Sequence, residues 1–236
     1  MKANAKKETI YANIIMLAVF FFAFLGTEYL FDNCMMYVTD ASGVVRAQNQ
    51  MLGVSAIGFL LYNWISGFLA DKSPWVTGGT GLLAFGVGAG CMGCIILHAG
   101  YVQMMIAGGV LFFLLGVLGA GVHYRMAYSV YDRAMLARCV GFAYAGGIFL
   151  QFLNNNMIHE NHTQAVALCV GTGYLLFVLC TPDRKGGASV SGAGGWISHL
   201  RTTAGGCRTE GHAISCLRRD YADRNCLSPD DCIYNA

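Results

Sequence analysis

Six unbroken apolar runs fill most of the first 180 residues, each about 18 to 25 residues long, the length a helix needs to cross a bilayer. Inside hydrocarbon no water satisfies a backbone N–H or C=O, so a spanning segment must be a helix or belong to a closed barrel. Barrel strands alternate polar and apolar residues over short segments. This sequence instead carries stretches such as IIMLAVFFFAFLGTEYLF. The expected fold is all-α: a polytopic membrane protein, a bundle of six transmembrane helices followed by a poorly ordered C-terminal tail.

Composition agrees. Of 236 residues only 12% are charged, about half the share of a soluble domain, near 25%. Thirty-one glycines against three prolines suit membrane helices whose backbones pack closely. The lipid bilayer is therefore the first expected partner. No nucleic-acid-binding or phosphate-loop pattern occurs, so no nucleic acid is expected as a partner.

The first span runs from about Asn13 to about Met36, and a polar segment from Asp40 to Gln50 precedes a second span from Met51 to Leu69. Ser73 and Pro74 predict the start of the third, a capping hydroxyl followed by proline at the first helical position. That span continues to Leu97, and the fourth covers Val102 to Val122. The polar segment HYRMAYSVYDRAMLAR leads to the fifth, Cys139 to Leu153 with an extension through Asn154 and Asn155. The sixth covers Ala165 to Leu179. Lys2, Lys6 and Lys7 precede the first run as in a signal peptide, but no small-residue cleavage site follows, so it reads as a retained span.

Cationic loops resist translocation, which predicts orientation. With the N-terminus in the cytoplasm, Lys2, Lys6, Lys7, Lys72, Arg125, Arg133, Arg138, Arg184 and Lys185 all fall inside, and only Arg46 falls outside. Six spans return the C-terminus to the same side. The expectation is a multi-pass protein of the plasma membrane with both termini cytoplasmic.

Two domains are expected: residues 1–185, the six-span bundle, and residues 186–236, a cytoplasmic tail. The tail is rich in Gly, Ser, Arg, Asp and Cys and too poor in apolar residues to form a core. Its Cys207, Cys216, Cys226 and Cys232 lack the paired spacing of a zinc site, so no metal is expected. Cys91-Met92-Gly93-Cys94 has redox spacing but lies inside a span, where a thiolate is disfavoured and packing is its role. With no nucleophile–base or metal constellation, neither catalytic residues nor a cofactor is expected, and the chain does not read as an enzyme.

The segment Gly67-Phe68-Leu69-Ala70-Asp71-Lys72, between the second and third spans, resembles the G-x-L-A-D-[RK] signature of the major facilitator superfamily (MFS) of transporters. Trp75 and Val76 stand where the family often has a basic pair. The resemblance covers about residues 10 to 185 and implies the N-terminal six-helix half of such a transporter. It also implies a cytoplasmic gating motif in which Asp71 and its neighbours Gly67 and Lys72 latch two halves together; Arg125 or Arg133 is placed to be the local ion partner of Asp71, and the other reading of the segment is an ordinary capped turn with an exposed acid. The fourth span lacks the arginine of proton-coupled drug exporters, and in the fifth Gly146-Gly147 is followed by Ile148 rather than proline. Drug/proton antiport is therefore not the expected chemistry.

Glu28 and Asp32 lie four residues apart on one face of the first span. A charge inside a span is costly and normally faces a cavity or a partner. Glu28, the deeper of the two, is the candidate for substrate or proton binding, whereas Asp32 reads as reaching interfacial water. Asn63, Tyr144 and Gln151 are candidates for the same polar cavity, with Tyr62 beside them; each could equally serve as an interhelical hydrogen bond. His123, His159 and His162 fall at span boundaries and read as solvated, and Asn161-His162-Thr163 is a glycosylation sequon.

Transporters of this family have two six-helix halves, each of two inverted three-helix repeats. The expected function is secondary transport of a small solute, with a second six-helix half from the same or another chain as partner. The change of composition after Lys185 is also the expectation for a truncated product whose tail is a linker or a shifted reading frame. The alternative function is a membrane-embedded sensory or signalling module attached to a cytoplasmic regulatory region.

Overall fold

A computed structural model describes residues 2–180, other than 71, 99, 131 and 159. All regular structure among them is helical: α1 (Lys2–Met35), α2 (Ala41–Ala70), α3 (Pro74–Ile96), α4 (Tyr101–Ser129), α5 (Arg133–Met157) and α6 (Asn161–Cys180). Six helices are long and apolar enough to cross a membrane, the shortest with 20 residues. At 1.5 Å per residue this is about 30 Å, the thickness of the hydrocarbon core. The chain is a membrane-embedded, multi-pass protein, all-helical in its regular structure over the described residues. The expected tail, 186–236, lies outside the described residues.

Two polar segments that read as connections are helical. Asp40 to Gln50 supplies the first turns of α2, because Val44, Ala47, Met51 and Ser55 form a buried stripe that runs unbroken into the span. The segment after Val122 continues α4 to Ser129, and α5 resumes at Arg133. Pro74 opens α3 with Ser73 as its cap residue, as predicted, but the Ser73 hydroxyl makes no capping bond. At α4 the cap is Gly100, whose φ of 110° is open to glycine and strained for other residues.

Asp40 closes the start of α2. Its carboxylate accepts from the Ser42 hydroxyl at 2.7 Å, the Gly43 N–H at 3.1 Å and the Thr39 hydroxyl at 3.4 Å. The Ser42 hydroxyl first, then the Gly43 amide, favour the charged form and hold this carboxyl below its ordinary value. Its contribution to stability is therefore complete above the unfolded-state pKa, about 3.9, and is lost as pH falls through the lower folded value. The melting temperature is expected to decline below about pH 4, and Asp40→Asn, which keeps a capping oxygen without the charge, to weaken that decline. Superimposable pH profiles would count against the assignment.

The neighbours in the bundle follow a pattern. α2 packs along α4 as α5 packs along α1; α3 lies against α4 as α6 lies against α1; α1 crosses α4, and α3 touches α6. Exchanging α1 with α4, α2 with α5 and α3 with α6 leaves this pattern unchanged. Two three-helix units are related by that exchange, and because each has an odd number of spans, the second enters the membrane from the opposite side. α1 and α4 are the most buried helices, and the other four surround them.

Both equivalent seams are built on glycine. In the α2–α4 seam, a Cβ on Gly116 would fall on the carbonyl oxygen of Ser55, and one on Gly58 would fall on that of Phe113. In the α1–α5 seam, a Cβ on Gly147 would come within 2.9 Å of the Ala18 carbonyl oxygen. Without side chains the backbones approach closely enough for dispersion to hold the helices together, which matters where lipid removes the hydrophobic driving force. Large apolar residues such as Leu60, Trp64, Leu82, Phe142 and Phe149 point outward instead.

The core has two layers along the bundle axis. One gathers Leu30, Phe31, Met51, Met92, Met104, Phe112 and Leu168, towards the end that carries the α1–α2 link. The other gathers Leu17, Phe20, Val122, Met126, Ala143 and Leu175, towards the N-terminal end. Aromatic rings join them along α1 and α4: Phe24 and Phe31 both meet Phe112 edge-on, at 5.9 and 5.8 Å.

Candidate functional site

Polar side chains inside an apolar bundle are the features packing alone does not require. Glu28, half-buried on α1, accepts a hydrogen bond of 2.7 Å from the Nε2 of Gln48 on α2. That partner exists because α2 begins at Ala41; in a loop, Gln48 would not be held beside α1. The periodicity of Val44, Ala47 and Met51 carries the signal that places Gln48 on a helix. Asp32, one turn along, has its Oδ1 enclosed without a hydrogen-bond donor rather than turned to interfacial water.

Gln151 is buried where α5 meets α1 and α6. A Cβ on Gly26 would come within 2.6 Å of the Gln151 Oε1 and would also strike Leu168 of α6. Its Nε2 donates to Asn155 Oδ1 at 2.8 Å. Tyr144, two turns earlier on α5, is exposed and sets its ring edge-on to Phe21 at 5.0 Å. Asn63 is exposed on α2. Tyr62 lies over Gly121 of α4, its ring carbon 3.1 Å from where a Cβ would stand. Among the described residues no hydrogen bond joins any two of Glu28, Asn63, Tyr144 and Gln151. They belong to separate helix contacts: Glu28 to α1–α2, Tyr144 and Gln151 to α1–α5.

Of the gating residues, Gly67 has open space around it and Lys72 lies 4.9 Å from the centre of the Phe68 ring. Asp71 lies outside the described residues. Arg133 is exposed in the first turn of α5, which Asp132 caps by accepting from the Ala134 N–H at 3.1 Å. Arg125 reaches from α4 to α6 and donates through Nη1 to the Val178 carbonyl at 2.8 Å. A carbonyl late in a helix sits towards the negative end of the dipole, so a guanidinium is well placed there. Arg125→Met is expected to free this end of α6, at a cost of about 1.5–3 kcal/mol. Hydrogen exchange should then speed up about tenfold or more over residues 176–180 and stay unchanged at the span centres; unchanged protection at 176–180 would refute the tether.

His123 differs from its expected solvated state. Because α4 runs on to Ser129, this residue is two turns inside the helix and packs among the rings of Phe20, Phe21 and Phe59 at 5.7 to 5.8 Å. Its Nδ1–H donates to the Gly119 carbonyl at 2.7 Å. His162 is exposed as expected, and His159 lies outside the described residues. Cys91 and Cys94 are free thiols on α3.

Two buried polar residues without an assigned role also lack a hydrogen-bond partner for their side chains. Asn154, one turn beyond Gln151, is 6% exposed, and neither its Nδ2 nor its Oδ1 has a partner. Thr27 on α1 is fully enclosed with its hydroxyl unpaired. Among the described residues no cluster of His, Cys, Asp and Glu could hold a metal ion. No family model matches the chain, and no curated protein or solved structure matches it either.

Proposed function

We propose that this chain is one six-helix half of a secondary transporter similar to the MFS, carrying a small solute across the plasma membrane. The observation that supports this most is the exchange symmetry of the bundle, two three-helix units of opposite direction with α1 and α4 at the centre. Such inverted repeats are how many secondary transporters build two access states from one packing. The Gly67–Lys72 segment at the α2–α3 link and the charged Glu28 within a span are consistent with it.

Orientation belongs to the same reading. Lys72, Arg125, Arg133 and Arg138 lie towards the end of the bundle that holds the N-terminus, and Arg46 lies towards the other. The positive-inside tendency then puts both ends of the bundle's chain in the cytoplasm. Alternating access needs one bundle to move against another, so the working unit includes a second half, from a second copy or a different chain.

The test is uptake by the full chain reconstituted in liposomes, across a panel of small neutral, cationic and anionic solutes. Saturable uptake of at least one solute is expected. Fluxes matching protein-free liposomes for the whole panel, with the chain inserted and folded, would remove the transport reading.

A further inference from the structure

We propose that Gln151 and Asn154 form a binding site for one neutral hydroxyl group, from a water molecule or a solute, on the buried face of α5. The two residues are one turn apart on α5, 8% and 6% exposed. Residues at that spacing face the same way, their Cβ atoms about 5–6 Å apart. The Gln151 amide nitrogen is committed to Asn155 Oδ1 at 2.8 Å. That leaves three atoms without partners: Gln151 Oε1, Asn154 Oδ1 and Asn154 Nδ2.

The unpaired set is two acceptors and an NH2 donor. In a bilayer, a buried amide with no partner is costly, and native polar groups in spans are satisfied by side chains or by bound polar molecules. A hydroxyl matches this set. Its oxygen accepts from Asn154 Nδ2, and its hydrogen is donated to Gln151 Oε1 or Asn154 Oδ1; water, with two hydrogens, can serve both. A charged ligand fits less well, because it would be desolvated beside uncharged amides with no opposite charge to pair with. Glu28, two residues beyond Gly26 on α1, is engaged by Gln48 of α2. Gly26 and Leu168 close on the Gln151 end of the site, so the ligand belongs on the Asn154 side.

The solute form of this site rests on the transport reading; the water form does not. The experiment compares the full-length wild type with Asn154→Leu, a change of similar size, by thermal unfolding in lipid nanodiscs with and without glycerol, inositol or glucose. Replacing an amide that holds no ligand with leucine is neutral or stabilising. Replacing one that holds a hydroxyl removes the ligand and leaves Gln151 Oε1 unpaired, and the midpoint is expected to fall by roughly 2–4 °C. A fall that the polyols do not change identifies water. A polyol-dependent rise in the wild type, absent from the variant, identifies a solute hydroxyl. A variant that melts at or above the wild type, with no polyol shift specific to the wild type, overturns the site. If the leucine variant does not insert, Asn154→Met, also apolar and of similar size, takes its place in the same comparison with the same outcomes. Failed uptake in liposomes would remove the transport reading and leave the midpoint comparison intact.

Discussion

Gly116→Val is expected to separate α2 from α4 and to lower the melting temperature by roughly 6–12 °C, the shift that about 3 kcal/mol produces in a chain of this size. A Cβ at this position lands on the Ser55 carbonyl oxygen, 2.9 Å from its carbon and 3.1 Å from the Phe59 nitrogen. These are backbone atoms of a helix and cannot rotate aside as a side chain could. The helices must move apart, and the neighbouring burial of Phe112, Leu115 and Met51 loosens with them. Gly90→Val on α3 is the control, because no atom of a neighbouring helix lies within 4 Å of its Cβ position. It should cost little, since its new side chain meets lipid. Equal melting temperatures for Gly116→Val and the wild type would show that the close seam is not maintained in the membrane.

Glu28→Gln is expected to reduce uptake at least about tenfold while leaving the melting temperature unchanged or higher. A carboxylate within a span costs up to about 2.5–3.5 kcal/mol at the centre of a helix and less towards its ends, so removing the charge relieves the fold. The amide keeps an oxygen for Gln48 Nε2 to bond at the same place, so the α1–α2 contact survives. Charge is lost and geometry is kept. Gln48→Leu gives the converse: the charge stays, but Glu28 Oε1 loses its donor, and stability should fall by about 1–3 kcal/mol. Full uptake by Glu28→Gln would reduce Glu28 to a structural hydrogen bond.

The two glycines show what the sequence can and cannot say. Gly116 lies in LLGVLG and Gly90 in GAGCMG, both small-residue stretches inside apolar runs. Nothing local separates them; only the neighbouring helix makes one indispensable and the other free. The same holds for Gln48 and His123. Each lies in a segment whose polarity suggests a loop, and each is helical because a buried stripe or an apolar run carries the helix past the polar residues. Glu28 was legible as a site candidate because charge inside a span is conspicuous in any sequence. Asn154 was not, since a carboxamide at the end of a span looks the same whether it meets water or is enclosed between helices.

The amino-acid order alone determined the solvent, the six spans and their all-helical character, because backbone hydrogen bonding in lipid leaves no other way to cross for runs of that length. The clustering of cations on alternate connections was equally local. Only the tertiary structure decided which helices are central, which glycines touch, and that Glu28 and Gln151 serve different seams. Lipid is as apolar as the side chains it surrounds, so hydropathy cannot say which face of a membrane helix turns inward. That choice rests on shape and on a few hydrogen bonds between residues far apart in the chain, and it exists only once the helices have met.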